Sequence, residues 1–137
     1  MKKLIVLLAS SVTLMLAIGG LVVAQTASAA TYPGTVATSC SVGWAKNPVS
    51  HLRRARVKFS VATAGTGTPS GVVKVTAKSR RGNHYYVRSY SYSGGLVAKP
   101  FRKMHRGRYV TRMYFTPTTG SVFMGCNARA TRLLRVR

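Results

Sequence analysis

From Ala55 onward, apolar residues recur at every second position, a period that admits β-strand and excludes helix. Ala55, Val57, Phe59 and Val61 alternate with Arg56, Lys58 and Ser60. Side chains two apart share one face of a strand, whereas a helical face needs a spacing of three or four. The alternation returns in Val73, Val75 and Ala77 against Lys74, Thr76 and Lys78, and in Tyr109, Thr111, Met113 and Phe115 against Val110, Arg112 and Tyr114. It returns once more over residues 128–137, where Leu134 and Val136 oppose Leu133, Arg135 and Arg137. Residues 35–45, around Cys40 and Trp44, supply an opening strand, and Tyr85 to Tyr92 an aromatic-rich one. Leu96 to Phe101 is a weaker strand whose Pro100 suits a sheet edge. Turn compositions separate these runs: Gly65 to Gly71, Ser79 to Asn83 (whose Gly and Asn suit positive φ), Ser93-Gly94-Gly95, and Thr116 to Gly120. About seven short strands at this spacing predict an all-β fold, an antiparallel β-sandwich.

Ahead of these strands, residues 1–29 read as a secretory signal peptide. Lys2 and Lys3 make its positive start, Leu4 to Val23 its apolar stretch, and Ala27-Ser28-Ala29 its small-residue cleavage site. The apolar stretch is also long enough to stay as a membrane anchor. Cleavage leaves residues 30–137 as a single domain with no membrane insertion. In an exported chain the two cysteines, Cys40 and Cys126, are expected to form one disulfide.

Charge narrows the function. The chain carries 22 Lys and Arg and no Asp or Glu, whereas average usage would bring about a dozen acids to residues 30–137. Without a side-chain carboxylate there is no paired-carboxylate catalysis, no acid to orient a histidine, and no ordinary calcium or magnesium cage. His51, His84 and His105 fall near turns without the close spacing of metal ligands and read as solvated turn residues. The glycine-rich run at 65–71 lacks the Gly-Lys-Ser/Thr ending of a phosphate loop. The reading is therefore a protein that is not an enzyme and has no cofactor or metal.

The run Ala62-Thr63-Ala64-Gly65, continuing to Thr68-Pro69-Ser70-Gly71-Val72-Val73-Lys74-Val75, resembles the "TPTG-V-x-V" opening of bacterial immunoglobulin-like repeat domains. Gly94-Gly95 and Gly107-Arg108-Tyr109, running on to Phe115, are similar to that family's Gly-Gly turn and "G-x-Y-x-V-x-V-x-Y" strand. The resemblance spans roughly residues 50–137. Thr111 and Met113 stand where the family usually has valines, and the acidic loop residues are missing. It implies an immunoglobulin-like sandwich in a secreted, cell-surface or wall-associated structural module, a spacer or adhesive stalk, with no chemistry of its own. Tyr109, just after a glycine turn, matches the tyrosine corner of such sandwiches, whose hydroxyl bonds to backbone a few residues upstream. A simple core aromatic is the other reading.

In an immunoglobulin-like sandwich the third, sixth and seventh strands share a sheet. The outward positions Lys74, Lys78, Arg108, Arg112, Arg135 and Arg137 would then form one basic face, with Tyr114 in the same row. Arg54, Arg56 and Lys58 would form a second row on the other sheet. The expected partner is an anionic cell-wall polymer (wall teichoic acid or an acidic glycan), with extracellular DNA next, bound without sequence preference because phosphate contacts do not read bases. The chain closes on Arg132-Leu133-Leu134-Arg135-Val136-Arg137 rather than a sorting signal, so charge is the expected means of retention at a surface. Two other readings stand beside this one. An inert spacer domain is the first. The second is a cationic antimicrobial protein, disfavoured by the lack of an amphipathic helix.

Overall fold

The computed structural model describes residues 36–137, so the signal-peptide reading of 1–29 lies outside the described residues. Among the described residues there is no helix. Eight strands follow in order: β1 (Thr38–Trp44), β2 (Arg56–Thr63), β3 (Gly71–Ser79), β4 (Tyr85–Tyr92), β5 (Val97–Pro100), β6 (Gly107–Pro117), β7 (Cys126–Arg129) and β8 (Leu134–Val136). They form two sheets, β1-β2-β5 and β4-β3-β6-β7, with β8 also paired to β6. Every strand pair is antiparallel. Three strands face five, with the third, sixth and seventh in one sheet as in an immunoglobulin-like sandwich.

The alternating residues meet between the sheets. Val57, Phe59 and Val61 of β2 face Val73, Val75 and Ala77 of β3, Tyr109, Met113 and Phe115 of β6, and Leu134 and Val136 of β8 in one buried cluster. Full burial of such a side chain stabilises by roughly 1.5–3 kcal/mol, which is what holds the two layers together. Pro100 ends β5 at the edge of the smaller sheet, where no neighbour requires its missing N–H.

Two readings of local structure are corrected. Residues 128–137 do not form one strand. β7 pairs Arg112 to Phe115 and β8 pairs Gly107 to Tyr109, successive segments along the same edge of β6. The alternation fails where Leu133 and Leu134 stand side by side, and Asn47 brackets the break. Its amide donates to the Leu133 carbonyl at 2.9 Å and its carbonyl oxygen accepts the Arg135 N–H at 3.0 Å. In the turn after β3, Gly82 has positive φ but Asn83 does not. One glycine suffices to reverse the chain there.

β4 closes the open side of the sandwich. Its inward positions, Tyr86, Arg88, Tyr90 and Tyr92, all have polar tips, and each tip finds backbone. Tyr86 accepts the His105 N–H at 3.2 Å, Arg88 donates to the Phe101 carbonyl at 2.7 Å, and Tyr90 donates to the Pro100 carbonyl at 2.9 Å. Tyr92 donates to the Gly95 carbonyl at 2.8 Å and accepts the Val61 N–H at 2.9 Å. The row thus ties an edge strand to β2 and to the segment after β5. A disulfide between Cys40 of β1 and Cys126 of β7, 86 residues apart, clasps the opposite side. Chain-entropy reasoning gives a loop of that length an upper stabilisation of about 4–5 kcal/mol.

Candidate functional site

The outer face of the larger sheet is built row by row from its register. Lys74 of β3 lies between Ser89 of β4 and Tyr114 of β6. Thr76, one step along that face, lies beside Arg112, which is paired in turn with Arg129 of β7. Lys78 lies beside Tyr85 of β4, and at the far end Arg108 faces Arg135 of β8. Cross-strand side chains start about 5 Å apart, and same-face neighbours along a strand about 7 Å apart. Directly opposed like charges, here Arg112 with Arg129 and Arg108 with Arg135, destabilise a sheet. No acidic side chain exists in the chain to neutralise them.

Two clefts break this face. One, of about 330 Å³, is lined by Lys78, Arg112 and Arg129 together with Tyr85 and Tyr114. The two rings are 59% and 40% exposed, so they present faces to solvent instead of filling core. The other, of about 390 Å³, gathers Arg108, Arg132, Arg135 and Arg137. Arg108 also borders a cleft of about 620 Å³ with Arg80 and Arg81. All the cations assigned to this face from sequence, Lys74, Lys78, Arg108, Arg112, Arg135 and Arg137, lie on it or at its rim, as does Tyr114.

Sequence reasoning missed Arg129, Arg80, Arg81, Arg132 and Tyr85. Arg129 carried a usable signal, since it alternates with Ala128, but a four-residue strand is too short to announce its register. The second basic row is corrected. Arg56 and Lys58 do sit on the outer face of the smaller sheet, paired with Pro100 and with Ala98 and Gly43. Arg54 precedes β2 and turns toward another cleft, with Arg88, Arg102 and Lys103.

Tyr109 is fully buried, and its hydroxyl donates to the His105 carbonyl four residues upstream at 2.8 Å. Burial pushes its pKa up to about 12, helped by the neighbouring Tyr86 hydroxyl. The histidines do lie in turns and loops, with His84 and His105 exposed, but the fold groups them. His84 and His105 stack with ring centroids 4.3 Å apart, and His51 lines the same cleft. His105 Nδ1 lies 2.7 Å from the Tyr86 hydroxyl, and His51 Nδ1 lies 2.9 Å from the Arg137 carbonyl oxygen. The loops bring them together because Tyr86 and Tyr109 both hold the segment preceding β6. Among the described residues no three His or Cys side chains are grouped to hold a metal ion. No family model, curated protein or solved structure matches this chain.

Proposed function

We propose that this protein is an exported, non-enzymatic immunoglobulin-like module that holds linear polyanions, wall teichoic acid or an acidic glycan first and DNA second, on the outer face of its larger sheet. One observation carries the reading. Lys74, Lys78, Arg112, Arg129, Arg108 and Arg135 fall on one face in consecutive register rows, in a chain without a single acidic side chain. An extended anion lying across these rows neutralises opposed like charges and releases its own counterions. The disulfide is compatible with an oxidising, extracellular setting.

The test is binding of purified wall teichoic acid and of duplex DNA across a salt series. Affinity is expected to fall steeply with salt, with a logarithmic slope near 0.9 per neutralised phosphate for DNA. Arg112→Gln with Arg129→Gln is expected to weaken binding several-fold more than Arg56→Gln with Lys58→Gln, a pair that removes the same charge from the other sheet. Equal losses defeat the defined face. Absence of binding at low salt defeats the polyanion reading.

A further inference from the structure

A second cationic site lies on the other side of β4. Arg88 points inward from that strand, in line with Tyr86, Tyr90 and Tyr92, and is partly buried. One guanidinium nitrogen donates to the Phe101 carbonyl at 2.7 Å, and the guanidinium carbon sits 5.6 Å from the centre of the Tyr90 ring. A guanidinium has five N–H donors in a planar fork, so most of this one's capacity remains for something else. Arginines that become buried are almost always paired with an opposite charge. This chain has no Asp or Glu to offer.

Instead of a counter-charge, the fold brings more cations. Arg54 from the segment before β2, and Arg102 and Lys103 from the segment after β5, line the same cleft as Arg88, with Tyr86 and Phe101 as its walls. The cleft holds about 580 Å³. These four residues come from three separate stretches of chain, so their meeting is a product of the tertiary fold and not of a basic run. Arg54, Arg102 and Lys103 are exposed, so nothing in the core obliges them to converge. Converging like charges around a partly buried guanidinium raise the energy of the empty site. A multivalent anion lowers it, because the planar fork matches the oxygens of a phosphate or sulfate group in a bidentate way.

We propose that this cleft binds a divalent tetrahedral oxyanion (inorganic phosphate, sulfate or a phosphate monoester), with Arg88 as the inner contact and Arg54, Arg102 and Lys103 around its mouth. The anion takes the place of the carboxylate the chain lacks, and it joins β4 to the segments on either side of the smaller sheet. It is distinct from the outer-face cations and does not depend on the polyanion reading. Because the folded state binds the anion and the unfolded chain has no such cleft, the anion at free concentration c raises stability by RT ln(1 + c/Kd).

The experiment follows the melting temperature of the disulfide-bonded protein at fixed ionic strength while chloride is replaced by millimolar inorganic phosphate, glycerol 1-phosphate or dimethyl phosphate. The expected result is a rise that grows with the logarithm of anion concentration with one or both of the first two, and none with the singly charged diester. A rise with inorganic phosphate assigns a free anion, and a rise with glycerol 1-phosphate alone a terminal phosphate on a larger molecule. Arg88→Gln is expected to weaken the apparent affinity about tenfold or more, the scale of a lost charge-assisted hydrogen bond. The exposed pair Arg102→Gln and Lys103→Gln, which leaves the packing of β4 intact, is expected to weaken it likewise, and it reads the site even if Arg88→Gln fails to fold. Arg112→Gln with Arg129→Gln is expected to keep the full phosphate response while losing polymer binding. No rise with either dianion, an equal response to dimethyl phosphate, or an equal loss in the Arg112/Arg129 variant would overturn the site.

Discussion

Thr111 is buried on β6 where the immunoglobulin-like pattern usually has valine, and its hydroxyl accepts the Trp44 indole N–H at 3.0 Å. The polar residue is explained by a partner 67 positions away. Thr111→Val keeps the shape and strips the acceptor, so it is expected to cost about 1 kcal/mol, the low end for a part-buried unsatisfied donor. The urea midpoint reads this, and a midpoint equal to wild type would show that the indole finds another acceptor. Two tyrosines make a second residue-level prediction. Burial pushes both Tyr90 and Tyr109 up to about 12; Arg88 and then Arg102 oppose the shift at Tyr90, whereas Tyr86 adds to it at Tyr109. The folded protein therefore keeps these protons while the unfolded chain, with a reference value of 10.0, gives them up. Their contribution is complete below pH 10 and lost as the pH climbs toward 12. Native-state absorbance titration is expected to show two phenols ionising late. The fall in melting temperature over that interval is expected to be shallower in Tyr109→Phe than in wild type. Comparing Tyr109→Phe with wild type cancels the opposing effect of lysine deprotonation.

At the scale of the element, the β3–β6 ladder is the centre of the larger sheet, and its first rung is set by a glycine. A Cβ on Gly71 would strike the Thr116 carbonyl oxygen and the Pro117 backbone, neither of which can move without breaking the rung. Gly65, in the turn before it, faces open space without positive φ. Gly71→Ala is expected to lower the melting temperature markedly. Gly65→Ala is expected to be neutral or to stabilise by up to about 1 kcal/mol through the entropy of the unfolded chain. Thermal melts of the two variants check the contrast, and similar losses in both would show that the turn as a whole, and not the close approach at Gly71, governs pairing. β4 illustrates the same scale differently. It is an edge strand with a polar tip on every inward side chain, so its attachment rests on hydrogen bonds to neighbouring backbone as much as on apolar burial.

For the whole molecule, the charge balance sets an unusual pH response. Acid unfolding ordinarily follows the protonation of native carboxylates. With no Asp or Glu, only the C-terminal carboxylate has a reference pKa between about 2.5 and 4.5. The melting temperature at constant ionic strength is expected to be nearly flat over that interval. A large drop would mean that anions bound to the arginine clefts supply stability and are themselves protonated. The same composition predicts that stability rises with salt, since a net charge this far from zero repels itself in the compact state.

The sequence by itself determined most of the strands, the alternation of side chains within each of them, and the pairing of Cys40 with Cys126. Pleating is local and has a period of two, so Val73 and Val75 declare Lys74 and Lys78 to be outward without any knowledge of neighbours. Two cysteines leave one bond to make. Only the tertiary structure decided which strands stand side by side and in what register, because hydrogen-bond ladders join any two strands alike and burial of both sheets selects among the pairings. That is why Arg129 beside Arg112, the assignment of β4 to the larger sheet, and Thr111 beneath Trp44 were not legible. The convergence of Arg54, Arg88, Arg102 and Lys103 was hidden for the same reason. Each lies in an unremarkable stretch, and it is the clasping of β4 onto the end of β5 and the segment after it, through Tyr86, Arg88 and Tyr90, that brings their charges together.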